Sequence, residues 1–537
     1  MNKGFPIFKM IYKVKKMLPP FKEIKFLFLI ALISALIKAC FLIPNKNYFW
    51  FDQARDAVIV QELLHGDLKL QGPSASGTND QIYHGVMYYY LLASFYWLLQ
   101  GNPFLVTLVL SSIVSFAFVF PIYFLVKSLM KDKRIALLST IFISFNIENL
   151  SLGVWLSNPI ITLITIPCFY LFLWYVFFQE KKQYLFFLIV SLALSNQAAV
   201  WTLYLFIPLG LSYFYLALKK KKLFLFSANQ FFMAGVLYLI LVFSMILTQW
   251  KLWRLGIFNF KDSKLLMEHS QNNFHLFKQV INLYIEKVTR LFWKKQTTIS
   301  LLIFITSLVY FWRQLNQKLK YFLLIWFSAI GMFLLIKPHG SVHLLIGMEI
   351  VILLPFSYII GKLIKQKRWR ILGIFLAVLF VLLHFRQMQI YKKDNYYLYG
   401  VQQGATFSDE LAVIDKMYEL ADYGPFTFSS FTNPYSYNTT WAYLFKWYGE
   451  SRHGYVPQFF GPEQEGFFGG KLLKMAAQIT PNHFTIYEPD LLKNIVYTDF
   501  VNRQNEFSFV KEQYQFGGIV LEERRPNSYK DNYLYEN

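Results

Sequence analysis

Long apolar runs alternate with short, lysine-rich polar stretches over the first 385 residues, and then the pattern stops. The runs cover residues 26–44, 104–128, 135–147, 159–178, 184–196, 200–218, 230–249, 297–312, 321–336, 343–364 and 371–385. A membrane-crossing helix needs about 20 apolar residues, so 135–147 and 184–196 must borrow flanking positions. Phe26–Pro44 is too long for the core of a cleaved leader and lacks a small-x-small cleavage site. It reads as a first span. Val86–Leu99 (VMYYYLLASFYWLL) is aromatic-rich, and its length alone leaves its placement open.

Charge parity decides that placement. Basic loops lie at Lys131, Lys133 and Arg134, at Lys181 and Lys182, and at Lys219–Lys222. Others lie at Arg313, Lys318 and Lys320, and at Lys365, Lys367, Arg368 and Arg370. If 86–99 does not cross, all of them share the side of the lysine-rich N-terminus, as the cytoplasmic bias of Lys and Arg requires. If it crosses, all of them face outward. The segment is therefore expected to lie in the outer interface as an amphipathic aromatic helix. This gives eleven spans in the plasma membrane, with the N-terminus cytoplasmic and the C-terminus outside. The stretch 250–296 is also basic but falls outside, and parity does not explain its excess.

From about residue 386 no spanning run remains. Turn signals there flank a helix expected at Ser408–Ala421, another near Lys471–Ile479, and strands at Phe484–Tyr487 and Phe507–Glu522. The expected fold class is a polytopic α-helical membrane protein. Residues 1–385 form its membrane domain, and 386–537 form a soluble α+β extracytoplasmic domain.

Composition agrees. Hydrophobic residues make up 55% and charged residues only 16%, and mean hydropathy is +0.36. Disorder and a disulfide scaffold are excluded. The net charge of +22 would suggest nucleic acid in a soluble protein. Here the cytoplasmic loops account for it, and no nucleic-acid partner is expected.

The chemistry concentrates in the first outer loop, 45–103. Asp52 and Asp56 are four apart at the start of an amphipathic stretch, Gln53–Leu64, with Arg55 between them. They read equally as a helix N-cap with a local ion pair or as a site carboxylate. Tyr48, Phe49, Trp50 and Phe51 surround Asp52 in sequence, which favours a partly desolvated base. Gly72-Pro73 and Gly77 turn the chain so that Asp80, Tyr83 and His84 return towards the surface. His84 then starts the interfacial helix, either facing water or facing substrate.

Farther on, Asn158-Pro159 starts a span and reads first as a cap. Asn196 and Gln197 read equally as sugar-hydroxyl contacts or as a polar turn. The loop Lys337-Pro-His-Gly-Ser-Val-His343 offers Lys337, His339 and His343 to a phosphate. Gly340 and the lack of an acidic partner argue against zinc there. Glu349, inside a span, needs a partner that the sequence does not name. Arg524-Arg525 reads as a solvated strand end. The asparagines of Asn149-Leu-Ser and Asn438-Thr-Thr match glycosylation acceptors, a match that arises often by chance. Gly-rich phosphate loops and nucleophile elbows are absent.

Lys38 late in the first span, then FDQARDA, ELLHGDLKLQGP and YHGVMYYYLLA, resembles the GT-C polyprenyl-phosphate-dependent glycosyltransferases. The likeness is to the family 39 protein O-mannosyltransferase and lipid A aminoarabinose transferase group. It is motif-specific over about 38–100. Gln53 and His84-Gly85 depart from the commoner Glu and Gly-Pro or Lys-Pro-Pro. The resemblance implies an inverting transfer of a sugar from a polyprenyl-phosphate donor to a hydroxyl of an acceptor glycan, lipid or protein. Asp52 would be the general base. Arg55 and Asp56 would orient the loop or acceptor, and Lys337, His339 or His84 would steady the leaving phosphate. Members of the group often carry an acid near Asn158; here the acid of that loop is Glu148. A divalent cation held by two carboxylates is thereby put in doubt, and no cofactor is named.

Two rivals remain. A lipid or glycan transporter would show paired, broken helices in matching halves, which this chain lacks. A whole-glycan transferase on the same fold would carry a Trp-Trp-Asp motif in its outer domain, and that motif is absent.

Overall fold

The computed structural model describes residues 21–44, 46–75, 82–257, 273–329, 331, 342–394, 404–489 and 495–529. Helices dominate the first part. Their starts are set locally, as where Asn102 caps Pro103–Ala117 by accepting from the Leu105 amide, with Pro at the first turn. Among the described residues five helical stretches are long and apolar enough to cross a membrane: Glu23–Leu42, Pro103–Met130, Asn158–Phe178, Val200–Lys220 and Lys367–Lys393. Counting each of two bent pairs, Lys133–Ser144 with Ile147–Val154 and Ala228–Leu241 with Phe243–Arg254, as one span brings the number up to seven. Four helices at the other expected spans, Leu185–Ala198, Thr297–Gln314, Gln317–Phe327 and Met348–Lys365, fall short on length, hydropathy or charge.

The ambiguous aromatic run forms one helix, Met87–Leu98. At 1.5 Å per residue it is about 18 Å long, too short for a ~30 Å hydrocarbon core. Tyr88, Tyr89, Leu92, Ala93 and Tyr96 are buried on one side, and Tyr90, Trp97 and Leu98 are exposed. The basic stretch after residue 250 is partly helix: Asn273–Phe292 packs its apolar stripe, Val280, Leu283, Val288 and Leu291, inward.

The C-terminal domain is built on a six-stranded sheet. In chain order β1 is Thr427–Phe431, β2 Gln458–Phe459, β3 Lys474–Met475, β4 His483–Tyr487, β5 Ser508–Phe516 and β6 Ile519–Pro526. Spatially they run β3-β2-β1-β4-β6-β5; the first four are parallel, and β6 pairs antiparallel with β4 and β5. Helix Phe407–Leu420 matches the expected one, with Asp409 accepting from the Thr406 amide at 2.8 Å. The helix expected near Lys471–Ile479 is not there. Gly469, at φ 75°, opens a single turn, Gly470–Leu472, and pairing with β2 then draws Lys474–Met475 into β3. Tertiary pairing overrides helix propensity at this point.

Arg524 is a second correction. It is buried, not solvated: Nε donates to Ser508 Oγ at 2.8 Å, and Nη2 donates to Asn505 Oδ1 and the Ser508 carbonyl. Asn149 and Asn438 are both buried, so neither presents its side chain to a modifying enzyme.

Candidate functional site

The first outer loop is fixed from both sides. Tyr48 donates its backbone N–H to the Val154 carbonyl at 3.1 Å. The Phe407 amide donates to the Asn47 carbonyl at 2.9 Å, tying the loop to the outer domain. Phe49 packs on Phe407 and Tyr443, and Phe51 packs edge-on against Tyr437 at 5.4 Å. These rings anchor the loop in the outer domain's core.

Helix Phe51–Leu64 follows at once. Gln53 sets its start with both ends of its amide: Oε1 accepts from the Trp50 amide at 3.2 Å, and Nε2 donates to the Leu156 carbonyl at 3.0 Å. A glutamate could not make the second bond, which accounts for Gln at this position. Trp50, not Asp52, holds the cap position; Asp52 lies in the first turn, where a negative charge meets the helix dipole favourably.

Arg55 joins the two aspartates. Its Nη1 donates to Asp52 Oδ1 at 2.8 Å, and Nη2 and Nε donate to Asp56 Oδ1 at 2.7 and 3.0 Å. Arg55 and Asp56 are buried, whereas the Asp52 side chain is 41% exposed. Burial pushes the Asp56 carboxyl up to about 6 against the pull of Arg55, with Tyr89 of the aromatic helix beside it. Among the described residues only Arg55 bonds the Asp52 carboxylate. Of the two carboxylates, Asp52 is the one a substrate can reach.

The other described candidates are bonded within the protein. His84 is buried, and its Nδ1 accepts from the Val200 amide at 2.9 Å, so the aromatic helix, which begins at Met87, does not start on a water-facing histidine. Next to it the Gly85 amide donates to the Gln197 carbonyl. A Cβ at Gly85 would lie 1.7 Å from Gln197 Oε1, which explains glycine there. Gln197 Nε2 donates to the Leu241 carbonyl at 2.6 Å and Ser244 Oγ at 3.2 Å. Asn158 donates to the Ala198 carbonyl at 2.5 Å, while Ser157 takes the cap position. Lys38 is buried and donates to the carbonyls of Asn149 and Leu150. Lys337 and His339 lie outside the described residues, as do Ser76, Gly77 and Asp80. His343 falls in the turn Val342–Leu345, and its side chain is outside the description.

Glu349 has a partner that the sequence did not reveal. Lys287 Nζ lies 2.9 Å from Glu148 Oε1 and 3.4 Å from Glu349 Oε2, with all three side chains buried. Glu349 also accepts from the Gly347 amide at 2.8 Å. The signal was present in the pattern: Lys287 interrupts the apolar stripe of Asn273–Phe292, where a solvated lysine would not sit. So a cation side chain fills the gap between two carboxylates twice, Arg55 in the outer loop and Lys287 deeper in. Among the described residues no group of three His, Cys, Asp or Glu side chains converges.

No protein-family profile and no curated protein matches the sequence. Solved structures do. ArnT from Cupriavidus metallidurans, crystallised with undecaprenyl phosphate, superposes with a TM-score of 0.53 at 10% identity, covering 93% of this chain and 97% of that one. The chain has the GT-C fold. The Archaeoglobus fulgidus oligosaccharyltransferase in complex with zinc and sulfate gives 0.49 at 12% identity, over 85% of this chain and 67% of that one. The mycobacterial arabinofuranosyltransferase AftD gives 0.38 at 10% identity, over 76% and 29%. The GT-C likeness runs through both the helical part and the outer domain, since the ArnT match covers nearly all of each chain.

Proposed function

We propose that this protein is an inverting glycosyltransferase that moves a sugar from a polyprenyl-phosphate donor to an acceptor hydroxyl on the outer face of the membrane. The observation that carries the reading is Asp52. On a GT-C fold it is the exposed carboxylate of a buried Arg55–Asp56 pair, held at the outer-domain face of the membrane part. The acceptor oxygen attacks the anomeric carbon while its proton passes to Asp52. The bond from that carbon to the phosphate oxygen breaks, and polyprenyl phosphate leaves with the electron pair. Charge develops on the phosphate, where Lys337 and His339 are assigned to receive it. Arg55 and Asp56 fix the carboxylate's position. The bound undecaprenyl phosphate of the ArnT structure supports a lipid-linked donor.

The test is transfer by purified protein from a polyprenyl-phosphate sugar labelled at the anomeric carbon, with an envelope extract as acceptor. Release of polyprenyl phosphate with an inverted linkage, read by NMR, is expected; a retained anomer refutes the single-displacement step.

The reading includes eleven spans with the outer domain outside. In a background lacking Cys40 and Cys168, a cysteine at exposed Asn502 should react with an impermeant thiol reagent in intact spheroplasts, and one at exposed Lys220 should not. Reaction at Lys220 would invert the topology.

A further inference from the structure

The apolar run 230–249 does not fold as one straight helix. Ala228–Leu241 and Phe243–Arg254 meet at a 66° bend. Straightened, residues 228–254 would run about 40 Å, well beyond a hydrocarbon core of ~30 Å. Bent, the first helix supplies about 21 Å, and the second, about 18 Å long, adds only about 7 Å along the same axis. With the first helix crossing, the second lies nearer to the membrane plane than to its normal.

The chemistry changes at the bend. Residues 228–241 carry no charged side chain, whereas Phe243–Arg254 ends on Trp250, Lys251, Trp253 and Arg254. Tryptophan beside cations is the composition of a membrane–water boundary. Phe243, Ile246, Trp250 and Trp253 recur at helical spacing, and all face outward, from 46% exposed at Ile246 to 65% at Trp253. Lys251 and Arg254 are exposed beside them, and the Arg254 guanidinium lies 5.7 Å from the centre of the Trp250 ring. The opposite side of the helix is bound to the protein: Ser244 Oγ accepts from Gln197 Nε2, and Thr248 Oγ1 donates to the Leu70 carbonyl at 3.1 Å.

Gln197 fixes the level at which the second helix begins. Its carbonyl accepts from the Gly85 amide, just before Met87–Leu98, and its side chain reaches the Leu241 carbonyl and Ser244 at the bend. The aromatic helix too short to cross and the helix beyond the bend therefore start together, on the side that carries the Asp52 loop. We propose that Phe243–Arg254 is a docking surface for the phospholipid headgroup layer on that side, with Trp250 and Trp253 among the upper acyl chains and Lys251 and Arg254 on the phosphates of anionic phospholipids. The span then ends at Leu241, before the apolar run does.

Depth measurements test this on full-length protein in nanodiscs of equal parts phosphatidylcholine and phosphatidylglycerol. In a background lacking Cys40 and Cys168, nitroxides are attached singly to Ile246→Cys, Trp250→Cys and Trp253→Cys, and depth is read from collisions with oxygen and with a nickel chelate. Depths at 246 and 253 should differ by about 4 Å, against about 10 Å for a helix that continues across the membrane. Any two of the labels suffice if one variant fails to insert. A fluorophore on Trp253→Cys should also be quenched at least twofold more by brominated phosphatidylglycerol than by brominated phosphatidylcholine. Lys251→Gln and Arg254→Gln should each reduce that contrast, and together abolish it. A depth difference near 10 Å, labels in bulk water, or labels shielded from both reagents by a second copy of the chain would each overturn the docking surface. Equal quenching by the two lipids, or a contrast unchanged in both single variants, would overturn the contact with anionic phosphates.

Discussion

Asp52→Asn is expected to lower sugar transfer by about 10²–10⁴-fold, the usual contribution of a positioned general base, with no change in membrane insertion or melting temperature. Asn has nearly the size of Asp and can still accept the 2.8 Å bond from Arg55 Nη1, but it cannot take a proton. The geometry removes the bland alternative in advance: Trp50 is the cap residue, so a stability loss through capping is not expected from this substitution. Asp56→Asn is the informative control. Asp56 is buried and accepts two bonds from Arg55, so its replacement leaves a buried guanidinium short of negative charge. Stability should fall there more than turnover per folded molecule. Turnover at the wild-type level in Asp52→Asn would remove Asp52 from the chemistry.

Lys287→Met is expected to destabilise the protein by about 3–5 kcal/mol, the usual cost of removing one partner of a buried ion pair. Its side chain neutralises part of the charge on Glu148 and Glu349, and neither carboxylate has water to turn to. The double replacement Lys287→Met with Glu349→Gln should recover part of the loss, because it removes one of the stranded charges. Melting temperatures of the two variants in one detergent check this. An equal or larger loss in the double variant would mean that Lys287 acts through packing alone.

Much of the helical frame was legible because apolar runs of spanning length have few other uses in a folded chain. The helix at Met87–Leu98 was legible too, as an aromatic run too short to cross. The span count was less legible, since short helices such as Leu185–Ala198 carry a weaker signal than their neighbours. Within the site, Asp52, Arg55 and Asp56 were readable because their spacing brings them together on one helix. The partner of Glu349 was not: the apolar stripe around Lys287 marked that lysine as buried, but the contact joins residues distant in sequence. Arg524 misled for the same reason: the helix end and strand start that bury it are separate in sequence. Two-residue strands such as β2 and β3 have no periodicity to detect.

The seam between the outer domain and the first loop has a consequence for evolution by module exchange. Phe49 and Phe51 on one side, and Phe407, Tyr437 and Tyr443 on the other, form a shared aromatic joint, closed by the bond from the Phe407 amide to the Asn47 carbonyl. A foreign outer domain grafted after Asp394 would meet rings shaped for a different partner. Functional chimaeras should therefore require residues 47–51 to travel with the C-terminal domain, so that this domain and the start of the Asp52 helix are inherited as one unit.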